Sequence, residues 1–429
     1  MKKKIKFQSA LRIIAAAFFL ISGFFNAAAF DFGGVLTNDS AFQTYFDGEF
    51  NLDQKNSISL WARQNFDKAG ENFFAVEGSY NFEGDFEKEN DDEKFTNALD
   101  LTLFAANLSN HFDSSRINFT AGRFYFSDLS GIVFTQDADG AKFDFQNGYF
   151  RISAYGAYTG LLNALNTKII SANPAQILQK GETPAVQDNS KIFAADNDKV
   201  YDCAEKYAAA ALTLSFPFFA ANQTVSAEFL GAFRLEDEKY NRMYATLSFD
   251  GPVYNSLSYD FSSTFGFMNY EKEVENGKSE TKNDVSNLSK IGLYYYFSKA
   301  SLGLSGIYAS GNQGPFSPFL GFTKNVSTYS LQEFLYSGII KAGANATLKP
   351  LENLLLSANC DLIFNALAGD KNDKEMEKIE YYGFEYSAGA TWQVKSDFQL
   401  GVTASQFFDK DNSDLAKKTY INLHAALAF

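Results

Sequence analysis

The sequence predicts an all-β protein: a closed antiparallel transmembrane β-barrel of about 18 strands, with 16 as the alternative count. Three observations lead to this fold. Segments of about ten residues alternate apolar and polar positions, as transmembrane strands of roughly 9–11 residues do. Short and long connections alternate between those segments, and the sequence given ends on an aromatic residue, Phe429.

Residues 1–29 have the layout of a secretory signal peptide. Lysines and Arg12 precede an apolar run from Ile13 to Phe25, and Ala27-Ala28-Ala29 offers small residues for cleavage. The apolar run is too short to span a bilayer, which favours removal over anchoring. We therefore expect a signal peptide at 1–29 and a barrel at 30–429.

Composition agrees with a β-rich, exported chain. It has 46 Phe and 23 Tyr, and no segment after the signal reaches the length of about 18 apolar residues that a transmembrane helix needs. Lys and Arg number 37 against 51 Asp and Glu. This acidic excess repels phosphates, so we expect no nucleic-acid partner.

The alternation places the strands in order along the chain. In the first, near Ala41 to Leu52, Phe42, Phe46 and Phe50 share one parity; in the last, Ile421 to Phe429 do the same. Arg123 is out of phase with Phe119, which predicts a bulge in that strand. The predicted strands begin near residues 41, 56, 72, 96, 115, 139, 148, 206, 223, 240, 253, 288, 300, 336, 354, 379, 398 and 418.

The connections predict which end of the barrel faces which compartment. Brief links alternate with long ones, of which 159–206 is the longest; Asp53–Lys55 and Leu235–Lys239 interrupt the alternation. Outer-membrane barrels combine short periplasmic turns with long extracellular loops. We expect the same here, with both chain ends on the periplasmic side.

The membrane environment requires the sheet to close into a barrel. An open sheet edge in hydrocarbon leaves backbone groups without partners, so the first and last strands must pair. The final Phe429 is similar to the C-terminal aromatic signature that the bacterial barrel-assembly machinery reads. Gly122, Arg123, Asp139 and Gly140, in "INFTAGRFYFSDLSGIVFTQDADGAKFDF", resemble a porin strand end, outer loop and strand entry.

The whole mature chain therefore resembles a bacterial outer-membrane barrel of porin type. The resemblance implies that the protein lies in the outer membrane, contacts its lipid, is assembled by that machinery and is compatible with a homotrimer.

If the apolar parity faces lipid, the other parity lines a wet interior, because charges facing lipid are costly. The candidate pore-lining residues are Arg63, Arg123, Lys142, Arg151, Arg234, Arg242, Asp260, Lys341, Asp361 and Glu385. Two interpretations stay open. In one, the cations Arg123, Lys142, Arg151, Arg234 and Arg242 face the carboxylates Asp260, Asp361 and Glu385 and set up a transverse field. In the other, the charges form local cross-strand ion pairs that stiffen the wall.

The 159–206 loop contains leucines and isoleucines, Leu161 to Ile170, that fit one helical face. Such a helix narrows the pore, covers the barrel rim or contacts a neighbouring subunit.

The sequence gives little support for a catalytic site or a metal site. His111 falls in a predicted turn and His424 in the closing strand, so both are expected to be structural. "DADG" and "DNDK" lack the ligand spacing of a calcium loop, and no zinc spacing occurs. We expect no enzyme activity, no cofactor and no metal.

The sequence thus predicts a channel for passive diffusion of small hydrophilic solutes and ions. The alternatives are a surface adhesin or structural barrel with acidic outer loops, and a transporter of hydrophobic compounds.

Overall fold

A computed structural model describes residues 30–44, 50–87, 94–164, 167–171, 202–236, 240–274, 278–311, 315–324, 335–366, 379–410 and 419–429. The predicted signal peptide lies outside these residues. The strands are β1 (Phe30–Thr44), β2 (Phe50–Asn65), β3 (Phe73–Glu87), β4 (Lys94–Phe112), β5 (Ser115–Ser127), β6 (Thr135–Gln146), β7 (Arg151–Tyr158), β8 (Tyr207–Phe216), β9 (Thr224–Arg234), β10 (Tyr240–Tyr254), β11 (Leu257–Val274), β12 (Lys278–Tyr296), β13 (Ala300–Ala309), β14 (Ile339–Leu351), β15 (Leu354–Asn365), β16 (Glu380–Lys395), β17 (Phe398–Asp409) and β18 (Thr419–Ala428).

These strands form one 18-stranded antiparallel sheet in which each strand pairs with its neighbours in sequence. The sheet closes because β1 also pairs with β18, from Val35 opposite Ala428 to Thr44 opposite Thr419. Phe429 extends this seam: its N–H donates to the carbonyl of Gly34 at 3.0 Å, and the N–H of Gly34 donates back at 2.9 Å. The predicted all-β closed antiparallel barrel of about 18 strands is confirmed.

The first two strands lie differently from their predicted positions. β1 begins at Phe30, and the predicted link at Asp53–Lys55 is inside β2. The connections before and after β2 are instead 45–49 and 66–72. With these bounds, the predicted interruption at Asp53–Lys55 disappears from the alternation. The prediction was wrong here because residues 37–40, Thr-Asn-Asp-Ser, are polar on both faces and hide the alternation of β1.

The two faces of the sheet are chemically distinct. Large apolar side chains are exposed on the outer face of every part of the ring, for example Phe119, Phe229, Leu304 and Leu423. Charged side chains of the opposite parity, such as Lys55 and Glu83, face inward. Within the described residues, no helix is long and apolar enough to cross a membrane.

Turns gather at one end of the barrel and loops at the other. The turns 66–72, 113–114, 147–150, 217–223, 255–256, 297–299, 352–353 and 396–397 share the end at which β1 starts and β18 stops. The strand ends that flank the other connections, such as Tyr158 and Tyr207 on either side of 159–206, lie at the opposite end. We call these the turn end and the loop end.

β5 runs through Arg123 without the bulge that the sequence predicted. It pairs residue by residue with both β4 and β6, and Arg123 lies opposite Phe104 and Asp139. The backbone irregularity in this region is at Gly122, whose φ is 125°. A Cβ there would lie 2.0 Å from the carbonyl oxygen of Phe104, so the close approach of β4 requires glycine.

Candidate functional site: the barrel interior

Three connections fold into the barrel from the loop end and form an apolar cluster with its wall. Ile132, Val133 and Phe134 come from the β5–β6 loop, Ile169 from the 159–206 connection, and Phe319 and Phe322 from the β13–β14 loop. All are nearly inaccessible to solvent. Their wall partners are inward residues of β5 to β10, β12 to β15 and β17. The predicted helix does not appear in 159–164 or 167–171.

The β5–β6 loop is held in shape by a buried carboxylate. Asp128 accepts hydrogen bonds from the N–H groups of Ser130, Val133 and Phe134 at 2.8–3.0 Å, and from the hydroxyl of Ser130. Burial raises the pKa of Asp128, and these donors offset part of that effect. The N–H of Leu129 then donates to Glu228 on β9 at 2.9 Å, which fastens the loop to the wall.

Arg242 of β10 fastens the other two connections. Its side chain is fully buried. It donates to the carbonyl of Gly321 at 3.0 Å, to the carbonyl of Ile170 and to the hydroxyl of Tyr207 at 3.3 Å. The guanidinium lies 3.9 Å over the Tyr240 ring, a favourable cation–π contact. One buried cation thus joins the 159–206 connection and the β13–β14 loop to one strand.

The wall that remains outside this cluster is polar. No cluster residue in the described part of the chain comes from β1–β4 or β18. There His424 Nδ1 lies 2.7 Å from Asp39 Oδ1 across the closing seam. Lys55 and Glu83 approach to 3.6 Å while 62% and 54% of their side chains stay exposed. Inward charges with that exposure indicate a water-filled space.

A pocket of about 880 Å³ opens on the same side of the interior. Arg63, Glu77 and Asn107 contribute its polar lining, and Trp61 and Phe73 part of its apolar lining. Arg63 lies 3.8 Å over the ring of Phe73 and donates to Asn65 at 2.9 Å and to the carbonyl of Gly70. The pocket extends from β1 to β5, beside the polar wall.

The other predicted pore-lining cations each have a local partner. Arg123 forms a bidentate pair with Asp139 at 2.7 and 3.0 Å and donates to the carbonyls of Leu101 and Leu161. It therefore joins the wall to the start of the 159–206 connection. Lys142 lies 3.5 Å from Asp144 on its own strand. Arg151, at the turn end, donates to Gln146 at 2.8 Å.

At the loop end, Arg234 lies 3.2 Å from Glu205 and 3.6 Å from Glu236. Burial raises the pKa of Glu205, while the nearby positive charge of Arg234 opposes the rise. This pair fastens the last residues of the 159–206 connection to β9.

The predicted carboxylates form two separate groups. Lys341 and Asp361 are paired at 2.9 Å, and Glu385, almost fully buried, lies opposite Asp361 in the β15–β16 ladder. Asp260 is on β11 and accepts a hydrogen bond from the hydroxyl of Tyr294. These contacts favour local ion pairs over a transverse field between distant walls.

Sequence reasoning missed the polar wall. Asp39, Lys55 and Glu83 were not among the candidates because each fell outside the predicted strands, and His424 was expected to be structural alone. The sequence pattern that indicates this polar face was nevertheless present, because the alternate positions 53, 55, 57 and 59 are Asp, Lys, Ser and Ser.

The remaining candidates for chemistry lie apart from one another. His111 Nε2 is 2.5 Å from Glu71 Oε2 at the turn end. This hydrogen bond and the charge of Arg116 lower the pKa of Glu71. In the described ranges, no three His, Cys, Asp or Glu side chains gather as a metal site would require. Cys203 and Cys360 are both free thiols.

The fold and its two faces define the class: a membrane-spanning barrel with a polar interior that loops narrow from one end. No protein-family model and no curated protein sequence matches the chain. Solved structures to which it is similar include several Pseudomonas aeruginosa proteins. OccK5 (OpdH) matches with a TM-score of 0.55 at 10% identity, over 94% of this chain and 99% of that one.

OpdQ matches with a TM-score of 0.56 at 10% identity, again over 94% and 99% of the two chains. The outer membrane protein OprD matches with a TM-score of 0.53 at 13% identity, over 93% of each chain. The likeness is one of fold and extends over almost the whole barrel. The expected resemblance to outer-membrane barrels is confirmed at that level.

Proposed function

We propose that the protein is a bacterial outer-membrane channel through which small hydrophilic solutes and ions diffuse passively. The observation that carries this proposal is the polar wall of β1–β4 and β18, where charged side chains are half exposed inside a closed barrel. A barrel of 18 strands is too wide for its wall side chains alone to fill. The fold of the outer membrane protein OprD supports the same conclusion.

Selectivity in this channel comes from the width left by the inward loops and from the charge of the polar wall. The apolar cluster narrows the interior on the side of β5–β17, and solutes pass along the remaining wall. Because the apolar side chains of the cluster are packed against one another, they offer little free surface to a hydrophobic compound.

The protein also needs a route to the outer membrane. Residues 1–29 direct export and are removed, and Phe429 is the residue that the barrel-assembly machinery reads. Its position supports the latter role, since its backbone completes the β1–β18 seam. Membrane lipid contacts the apolar outer face, and a homotrimer is compatible with this arrangement.

Conductance in planar lipid bilayers tests the function. The purified barrel should give steady current steps that grow linearly with voltage. Lys55→Glu should shift the reversal potential in a salt gradient toward cation selectivity, because it adds negative charge to the exposed wall. Lys299→Glu, in a turn, is the control and should shift it less. A folded barrel that passes no current but binds cells or matrix would instead indicate an adhesin.

A further inference from the structure

Four ionisable side chains lie in one row across the polar wall. His424 of β18 is opposite Asp39 of β1, and Asp39 is opposite Lys55 of β2. Lys55 is in turn opposite Glu83 of β3. Leu423, next to His424 in the chain, is exposed on the outer face, so the row points inward. We call His424, Asp39, Lys55 and Glu83 the charged band.

The charged band is open to the water-filled interior. The side chains of His424 and Asp39 are 35% and 37% exposed, and those of Lys55 and Glu83 are more exposed. Neighbouring strands are about 4.8 Å apart, which is shorter than the Debye length of about 8 Å at physiological salt. Each charge of the band therefore acts on its neighbours and on an ion that passes the wall.

Asp39 determines which ring nitrogen of His424 faces the water. Nδ1 of His424 lies 2.7 Å from Asp39 Oδ1. An ionised carboxylate only accepts hydrogen bonds, so Nδ1 carries the hydrogen and Nε2 keeps its lone pair in the neutral ring. Within the described part of the chain, Nε2 has no hydrogen-bond partner. A proton taken up from the water can therefore bind Nε2 while the contact with Asp39 stays in place.

Asp39 is the charged group that contacts His424. The inward residues that adjoin His424 on β17 and β18 are uncharged: Gln399, Gly401, Thr403, Asn422 and Ala426. Lys55 and Asp53 are one strand beyond Asp39, on β2. On the other side, β16 presents the neutral Thr391 opposite Gly401. Among the described strands, the direct neighbours of the imidazole thus include a carboxylate and no cation.

The net charge of the band depends on the state of His424. When His424 is neutral, the carboxylates of Asp39 and Glu83 outnumber the single cation Lys55. When His424 is protonated, positive and negative charges are equal. Histidine is the side chain whose charge ordinarily changes between pH 5 and pH 8. The sequence has two histidines, and the other, His111, lies at the turn end beside Glu71.

We propose that His424 is a proton-sensitive selectivity residue, whose protonation cancels the negative excess of the charged band and lowers the preference of the channel for cations. This role presupposes the channel function proposed above. The expected change in the cation-to-anion permeability ratio is about twofold, the order of the effect of one unit charge acting through water over several ångströms.

Reversal potentials of the purified full chain in planar bilayers, measured in a salt gradient at pH 8 and at pH 5, test this role. The permeability ratio of the unchanged protein should fall about twofold at pH 5. His424→Gln, whose amide can still donate to Asp39, should give the pH 8 ratio at both pH values. His111→Gln is the matched control and should keep the whole change.

His424→Lys provides a second variant with the opposite effect. Its fixed positive charge should give, already at pH 8, the ratio that the unchanged protein has at pH 5. Heat-dependent gel mobility shows whether each variant is folded. A ratio that does not change with pH in the unchanged protein, or a change that survives His424→Gln or disappears in His111→Gln, would overturn the proposal.

Protonation is followed without current by nitrogen NMR of histidine-labelled protein in detergent micelles. The Nε2 signal of His424, assigned by its loss in His424→Gln, should move between pH 8 and pH 5. A signal that stays in place would overturn the role of His424 whether or not the barrel conducts. A moving signal in a folded barrel that passes no current would support the proton site and count against the channel function.

Discussion

At the scale of single residues, buried polar side chains hold the loops inside the barrel. Arg242 and Asp128 do so with hydrogen bonds to backbone groups of 128–134, 170 and 321. A buried donor or acceptor that is left unpaired costs about 1–3 kcal/mol. Removing one of these side chains should therefore destabilise the inward position of the loop that it holds. Ion pairs at the exposed wall contribute less, roughly 0–1 kcal/mol each.

Arg242→Leu should release two connections at once. The carbonyls of Ile170 and Gly321 lose their donor, at about 1–3 kcal/mol each, so the connections leave the interior for part of the time. We expect larger single-channel conductance and more current noise. Arg151→Leu, at the turn end, is the control, and equal conductance in both variants would contradict the assignment.

Asp128→Ala should loosen the β5–β6 loop by a separate route. The N–H groups of Val133 and Phe134 lose their acceptor in a buried site, again at about 1–3 kcal/mol each. Noise in the open-channel current should rise, and the thermal midpoint of the barrel should fall. Asp397→Ala, in an exposed turn, is the comparison that should change neither.

At the scale of elements, the turn 66–72 shows how a short connection is fixed. Asp67 accepts from the N–H groups of Glu71 and Asn72 at 3.0 and 3.2 Å, and Glu71 contacts His111. Desolvation raises the pKa of Asp67, but the hydrogen bonds from Asn72, Glu71 and Gly70 together outweigh it and lower the pKa below its usual range. The turn is thereby tied to β4.

Glu71 gives a pH dependence with a defined sign. Since the folded barrel lowers its pKa from the ordinary 4.5, its ionised form stabilises the fold above that pH. The stabilisation is lost as the pH falls below about 4.5 through the lowered value. Glu71→Gln should therefore reduce the drop in thermal midpoint between pH 6 and about pH 3. An unchanged drop would show that other carboxylates cause it.

The elements also show what the sequence can predict. Strands β5, β10, β13, β15 and β17 begin at the predicted residues, because lipid on one face and water on the other impose a two-residue period. β1 was predicted to start near Ala41 instead of Phe30, because residues 37–40 are polar on both faces. The inward loops could not be predicted, since they have no period, and the partners of Arg123 or Arg242 depend on cross-strand register and loop position.

At the scale of the whole molecule, closure depends on a close fit between the two end strands. A Cβ at Gly34 would lie 2.5 Å from the ring of Phe429. The ring therefore lies against bare backbone, and its own amide completes the ladder. The same seam carries the pair of Asp39 and His424.

Gly34→Ala should lower the yield of folded barrel, because the added methyl displaces the Phe429 ring. Gly148→Ala, where a Cβ meets no atom within 4 Å, should have little effect. The double variant Gly34→Ala, Phe429→Ala should not be worse than Phe429→Ala alone if the clash is the cause. The folded fraction is read from heat-dependent gel mobility.

The polar wall belongs to strands at the two ends of the chain, and this has an evolutionary consequence. Whatever preference the passage has for its solutes would be encoded mainly in residues 30–112 and 419–429, which are contiguous once the ring is closed. Substitutions in the other strands would leave that solute preference largely unchanged. A graft of these two segments into a related barrel is thus the smallest exchange expected to transfer it.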